Sequence, residues 1–307
     1  MQNLENSNQK TAFIAIVGKP NVGKSSILNK LLGQKIAIVS SKPQTTRTRI
    51  MGVLTQEDTQ LVFIDTPGMH KPKTHLGDYM VRTVNQSLVG VDACMLVVEA
   101  TKEISEIEEL LMDKIVKNNI PAILAINKID LIKNKEDLIK DIEKYSAKCD
   151  FQAIIPVSAT NDSGLDILNN ELKKLAESGE HFFEEDTLTD QPERVLAGEI
   201  IREKILRLMN KEIPHGTAVV IEKMKTREDS GIVDIEATIY CEKESHKGII
   251  IGKKGAMLKR VGTYAREDME KFFDCKIHLV LWVKVKEDWR NKDGILRSLG
   301  YDKNNFD

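Results

Sequence analysis

Cysteine is scarce in this sequence: four residues in 307, Cys94, Cys149, Cys241 and Cys275, none in C-x-x-C spacing. No disulfide framework or dithiol motif follows from that pattern, and buried free thiols in a reducing cytosol are expected. None of the six histidines stands in a ligand-spaced pair. A reactive-thiol or metal-cluster enzyme therefore lacks its usual parts. No run of about 18 apolar residues exists, so no transmembrane helix is expected. Residues 1–10 (MQNLENSNQK) lack the apolar core of a signal peptide, and the final residues, NNFD, carry no prenylation box. Internal repeats and low-complexity tracts are also absent.

What is present is ordinary globular material: 41% hydrophobic and 30% charged residues. The length suggests two domains or one large one. The net charge of −2 conceals an asymmetry, −5 over residues 1–192 and +3 over 193–307. A mild positive excess says little about nucleic acid until its distribution is known.

Residues 11–17 (TAFIAIV) read as a buried strand and 26–32 (SILNKLL) have helical spacing. Between them Gly18, Lys19, Pro20, Asn21, Val22, Gly23, Lys24 and Ser25 fit G-x-x-x-x-G-K-[ST]. Strand, glycine turn and helix N-terminus form the context of a phosphate-cradling loop. Successive backbone N–H groups converge on phosphate oxygens and the helix dipole adds partial positive charge. Lys24 is expected at the β- and γ-phosphates and Ser25 at Mg²⁺.

A phosphate loop does not choose a base. Asn127, Lys128, Ile129 and Asp130, after the buried run 121–126 (PAILAI), do. The Asp carboxylate of an N-K-x-D loop accepts from both N1–H and the 2-amino group of guanine. Adenine offers neither, and the unpaired buried carboxylate gives discrimination up to about 10⁴–10⁵. The aliphatic stem of Lys128 would lie over the base, and Asn127 would tie this loop to the phosphate loop. Asp65, Thr66, Pro67 and Gly68 follow another strand pattern, 60–64 (QLVFI). There Asp65 suits a water-mediated Mg²⁺ contact, and the Gly68 N–H could sense a γ-phosphate. After strand pattern 153–157, Ser158 and Ala159 fit the S-A-x turn whose backbone contacts the guanine oxygen. Four strand-end motifs in this order specify a guanine-nucleotide site with GTP or GDP as ligand.

This order resembles the translation-factor-related branch of P-loop GTPases, and residues 44–49 (QTTRTR) resemble the first switch of the Era GTPases. The resemblance implies a Mg²⁺ contact from Thr46 in the GTP state, with Thr45 the neighbouring alternative. Where Ras-like enzymes carry the Gln that orients water, this chain has Met69, so slow intrinsic turnover is expected. Related GTPases with that replacement use K⁺ held partly by the phosphate-loop Asn, here Asn21. Lys24, Thr46, Gly68 and Asn21 are thus the expected contributors to hydrolysis. Met69 is grouped with the nucleotide-contacting residues.

Residues 177–192 (ESGEHFFEEDTLTDQP) break the strand–helix alternation and read as a linker. Before it, over 11–176, βα repeats predict an α/β P-loop fold with a doubly wound, mostly parallel sheet; residues 1–10 are expected to be flexible. After it, over 193–307, the pattern runs helix (193–210), strand (217–225), strand (232–241), short helix, turn, helix (256–273), strand (276–285). That is an α+β domain. Its turn is Gly252, Lys253, Lys254 and Gly255, and a G-x-x-G loop joining two helices clamps a single-stranded backbone. From Lys247 to Arg260, through Lys259, there are five basic residues and no acidic ones. Ile250, Ile251 and Leu258 are expected to form an apolar groove for bases.

The domain resembles a KH domain in the type II arrangement, and 281–286 (LWVKVK), 296–301 (LRSLGY) and 199–204 (EIIREK) resemble stretches of Era GTPases. That resemblance implies binding of single-stranded RNA near the 3′ end of small-subunit ribosomal RNA and a role in assembling the small ribosomal subunit. It also implies a cytoplasmic protein with peripheral contact at the inner face of the cell membrane. A monomer is expected. A GTP-dependent RNA-modifying enzyme and a membrane-associated cell-division GTPase are the alternatives. The first lacks a second catalytic constellation; the second lacks a lipid anchor and leaves GKKG unexplained.

Overall fold

A computed structural model describes residues 8–301, in two compact units. Most of the stretch expected to be flexible, residues 1–7, lies outside the described residues, whereas Lys10 already begins the first strand.

The first unit holds the strands β1 (Lys10–Val17), β2 (Ile50–Gln56), β3 (Thr59–Asp65), β4 (Ala93–Glu99), β5 (Ala122–Asn127), β6 (Ala153–Pro156) and β7 (Glu177–Ser178). Its path is β2-β3-β1-β4-β5-β6, with β7 antiparallel on β1 and β2 antiparallel on β3. The other pairings are parallel. Buried parallel strands read as continuous apolar runs because both faces are covered. Ala15, Val17, Cys94, Leu96, Val98, Leu124 and Ile126 face one layer, formed by the part of α2 (His75–Gln86) from Met80 onward, α3 (Glu106–Lys117) and α4 (Lys135–Ser146). Against the other side pack α1 (Lys24–Leu32) and α5 (Leu165–Lys173). Helix α3 starts on a reciprocal capping box, Ser105 with Glu108, which satisfies two free helix-end donors. The doubly wound, mostly parallel sheet matches the expectation.

The stretch expected to be a linker is mostly a strap on this unit. Beyond β7, the Gln60 side chain donates to Phe183 O and accepts from the Phe182 and Phe183 N–H groups. Farther along, Val53 N donates to Leu188 O and Thr189 Oγ1 to Met51 O. The unit boundary falls at Asp190/Gln191. Sequence reading missed this because an acidic, turn-rich stretch has no periodicity, and its anchors are single polar and aromatic side chains.

The second unit contains 38–45, 72–79 and the chain from Gln191. The two short segments were read as part of the nucleotide domain. Its elements are α6 (Glu193–Leu208), β8 (Ala218–Thr226), β9 (Val233–Cys241), α7 (Glu244–Ile251), α8 (Ala256–Phe273), β10 (Ile277–Val285) and α9 (Asp293–Ser298). The sheet order is β10-β9-β8, with β10 parallel and β8 antiparallel to β9. Ile235, Ala237, Ile239 and Cys241 of β9 pack against Ile201 and Ile205 of α6, Ile250 of α7 and Val261, Ala265 and Met269 of α8. Period 2 on the strands and 3.6 on the helices put these residues on facing surfaces. The order matches the type II KH arrangement, with α9 added beyond it.

Candidate nucleotide site and GxxG groove

The phosphate loop closes on two strained glycines. Gly18 has φ 149° and a Cβ there would lie 2.3 Å from Val97 O; Gly23 has φ 104° and its Cβ would lie 2.1 Å from Asn127 Nδ2. No other residue fits either place. Lys24 is buried and donates to Gly18 O (3.1 Å) and Lys19 O (2.9 Å). Burial pushes its ammonium down to about 8, against the opposing charge of Asp65.

Three oxygen groups converge beside it. Ser25 Oγ donates to Asp65 Oδ2 (2.6 Å) and stands 3.0 Å from Thr46 Oγ1. Asp65 is fully buried, and its Oδ1 has no hydrogen-bond partner among the described residues. Burial raises its carboxyl to about 6, opposed by Lys24 and the Ser25 hydrogen bond. An orphaned carboxylate oxygen with two hydroxyls is the hard donor set that suits Mg²⁺, which takes one or two carboxylates and completes its shell with phosphates and water. Thr45 is placed differently, its hydroxyl donating to Lys42 O at 2.6 Å.

The loop after β3 lies flat on the phosphate loop. A Cβ on Gly68 would come within 2.5 Å of Pro20 Cα, and Thr66 Oγ1 donates to Ile16 O (2.7 Å). Met69 follows Gly68 directly in the chain. Its N–H donates to Gly18 O (3.1 Å), but its side chain is buried in the apolar core. Burial of apolar surface draws the thioether into that core, away from the polar groups of the site.

Asn127 joins three loops: Nδ2 donates to Val22 O (2.8 Å) and Oδ1 accepts from Ala159 N (3.2 Å). Lys128 sits at φ 66° and its ammonium pairs with Glu99 at 2.9 Å. Ile129 N donates to Val157 O, and Asp130 Oδ1 accepts from Ser158 Oγ at 2.5 Å. All four strand-end motifs therefore meet at the carboxyl ends of the parallel strands, where ligands bind in open α/β sheets.

In the second unit, Gly252 (φ 72°), Lys254 (φ 53°) and Gly255 (φ 78°) make the reversal between α7 and α8. Beside it lies a cavity of about 330 Å³ lined by Gly255, Leu258, Lys259, Gly262, Thr263, Arg266, Leu279 and Leu281. Ile250 is not in its wall. That residue is fully buried in the apolar core that α7 shares with α8, β10 and β9, since it lies on the helix face turned to the sheet. Ile251 and Lys247 do not line the cavity either; Lys247 pairs with Glu244 at 3.7 Å. Arg260 lies over the Tyr264 ring, 5.6 Å from its centroid. Sequence reading missed Gly262, Thr263, Arg266, Leu279 and Leu281. Helical spacing from Gly255 and strand alternation from Ile277 were the available signals.

Fold and site define a guanine-nucleotide-binding P-loop GTPase joined to a KH domain. Residues 13–128 match the model described as 50S ribosome-binding GTPase, and 212–290 match the KH domain model. The chain is 50% identical over 295 residues to GTPase Era of Ruminiclostridium cellulolyticum, covering 96% of this chain and 98% of that one. Among solved structures, Era in complex with MgGDPNP and nucleotides 1506–1542 of 16S ribosomal RNA superposes with TM-score 0.90 at 40% identity, covering 96% and 99% of the two chains. A single-residue variant of Aquifex aeolicus Era bound to GDP·AlF₄⁻ does so with TM-score 0.90 at 40% identity, covering 95% and 99%. This chain belongs to the Era family of GTPases. It binds GTP and GDP and hydrolyses GTP.

Proposed function

We propose that the chain is a GTP-operated switch that binds single-stranded RNA near the 3′ end of small-subunit ribosomal RNA during assembly of that subunit. The observation that carries the RNA reading is the GKKG turn with its leucine-walled groove, in a fold shared with a relative solved on nucleotides 1506–1542 of 16S RNA. Lys24 neutralises the β- and γ-phosphates, and the Gly68 N–H contacts the γ-phosphate. Ser25, Thr46 and Asp65 hold Mg²⁺, which supplies charge neutralisation when bound. The 3.0 Å approach of Thr46 to Ser25 supports Thr46 over Thr45. Asp130 reads guanine, Lys128 covers it, and Ser158 and Ala159 complete the base pocket. Asn21 helps to hold K⁺ in place of the missing water-orienting Gln.

Segment 38–45 supports coupling between nucleotide and RNA. It belongs to the second unit, where it is tied to α6. The buried Arg202 guanidinium donates to Thr45 O and Gln44 O, and Glu203 Oε1 accepts from Val39 N at 3.1 Å. Lys42 Nζ donates to Leu206 O, and Arg207 donates to Val39 O. The next residue in the chain is Thr46, so ordering Thr46 on Mg²⁺ must act on a backbone already fixed to the first KH-unit helix. Two conformations of that tether, one favoured by each nucleotide, would be the bistable element.

Reversing Lys253 and Lys254 to Glu tests the RNA reading. Affinity for single-stranded RNA should fall at least about tenfold, and the salt slope by about 1.4, as two phosphate contacts are lost. Undiminished affinity contradicts it.

A further inference from the structure

The sheet of the second unit has a second face. On β10, Leu279, Leu281, Val283 and Val285 pack inward with the core. His278, Val280, Trp282 and Lys284 therefore point the other way. Register puts Asp234, Glu236, Thr238 and Tyr240 of β9 beside them, with Lys225, Lys223, Val220 and Ala218 of β8 beyond. Helices α6, α7 and α8 contribute to the core on the opposite face. Trp282 stands 58% exposed at the edge of this surface. A large aromatic left in water on a polar face is the kind of residue that marks a binding site.

Charge divides this face into two ends. At one end it is internally neutralised: Arg227 pairs with Asp234 (2.7 Å), His278 Nδ1 lies 2.9 Å from Asp234, and Lys223 pairs with Glu236 (3.3 Å). Burial and the Glu222 carboxylate raise the Tyr240 hydroxyl at the other end. There Lys286 sits over the Tyr240 ring, 4.3 Å from its centroid, and neither Lys284 nor Lys286 makes an ion pair among the described residues. Trp282 and Lys284 are two positions apart on one edge strand, about 6.6 Å. An exposed aromatic with unpaired lysines following along a strand is the combination of base stacking and backbone neutralisation that single-stranded nucleic acid requires.

Continuity selects the occupant. Leu279 and Leu281 wall the GxxG groove, and Trp282 is the next residue, on the opposite side of the same strand. Since β10 is a sheet edge, a strand leaving the groove reaches the outer face by passing around that edge. We propose that the outer face around Trp282, Tyr240, Lys284 and Lys286 is a second contact for single-stranded RNA, taking a base on Trp282 from the same strand held in the GxxG groove. This rests on the RNA reading above and extends it.

The test uses the full chain and fluorescently labelled single-stranded RNAs of four and twelve nucleotides, read by anisotropy. A GxxG loop clamps about four nucleotides, so only the longer RNA reaches Trp282. Trp282→Ala should weaken the 12-mer by roughly tenfold, the scale of losing one stacked base. It should leave the 4-mer unchanged, and Trp282→Phe should retain most of the 12-mer affinity. Intrinsic fluorescence gives a second readout, because the chain has two tryptophans. The other, Trp289, is buried, donates to Gly216 O at 2.9 Å and stacks on Tyr301. Unlabelled 12-mer should quench Trp282 emission and the 4-mer should not. Equal 12-mer affinity for wild type and Trp282→Ala, or no quenching by bound 12-mer, overturns the second contact while leaving the groove intact. It would then point to a protein on this face. Failure of wild type to bind either RNA overturns the groove reading as well.

Discussion

Asn127→Ala removes a side chain that bonds to both the phosphate loop and the S-A turn. The amide is 3% exposed, and its two hydrogen bonds reach Val22 O (2.8 Å) and Ala159 N (3.2 Å). Truncation leaves a buried carbonyl and a buried N–H without partners. Each costs about 1–3 kcal/mol, so a total near 3–4 kcal/mol is expected. For a unit of this size that lowers the midpoint by roughly 6–15 °C. The assay is calorimetry of the nucleotide-free full chain, and the transition of interest is the one that added GDP raises, since only the unit that binds GDP is stabilised by it. Asn127→Asp should be at least as damaging. Its carboxylate still accepts from Ala159 N–H but faces the Val22 carbonyl without a proton to donate. GDP affinity should fall with stability in both variants, because phosphate and base loops lose their common anchor. A midpoint shift below about 2 °C for Asn127→Ala, or unchanged GDP affinity, refutes the argument.

Other outcomes follow from the same geometry. Asp65→Asn should stabilise the nucleotide-free protein at pH 7 by up to about 3 kcal/mol while weakening Mg²⁺-dependent GTP binding. The folded carboxyl is raised to about 6 from 3.8, so stability falls as pH rises between those values and the penalty is complete above them. Equal midpoints for variant and wild type at pH 7 would contradict this. Asp130→Asn should shift preference from guanine toward xanthine nucleotides in competition binding, and retained guanine preference would count against the base contact. Replacing K⁺ by Na⁺ should slow GTP turnover if Asn21 holds the cation; equal rates exclude that role. Arg202→Ala should loosen the Gln44–Thr45 end of segment 38–45, making the backbone amides there exchange faster by hydrogen exchange, and unchanged protection would show that the guanidinium does not hold that end.

The nucleotide site was legible because each motif is a contiguous run at a strand end, where residue type and backbone requirement coincide. GKPNVGKS needs positive φ at Gly18 and Gly23 and has glycine at both. Asn127, Lys128, Ile129 and Asp130 announce guanine through one carboxylate. The rest depended on long-range pairing. Nothing in 38–45 shows that its carbonyls will meet Arg202, some 157 residues away. Nor does Gln60, near the start of the apolar strand β3, reveal that its amide will fasten Phe182 and Phe183. At the GxxG groove the turn itself was readable, but its walls were not. Ile250 looked like a groove residue because it adjoins the turn, whereas the face of α7 that it occupies is the buried one.

Nucleotide and RNA binding are proposed to be linked through one chain. The most direct test of that linkage is the affinity of the full protein for a single-stranded RNA with the sequence of a small-subunit ribosomal RNA 3′ end, with GDP and then a non-hydrolysable GTP analogue bound. Linkage is reciprocal: if RNA favours the GTP state, GTP must strengthen RNA binding by the same factor. Tighter binding with the analogue is expected. Equal affinity in the two states would contradict it, leaving the KH domain a constant anchor and the nucleotide state to be read by another partner.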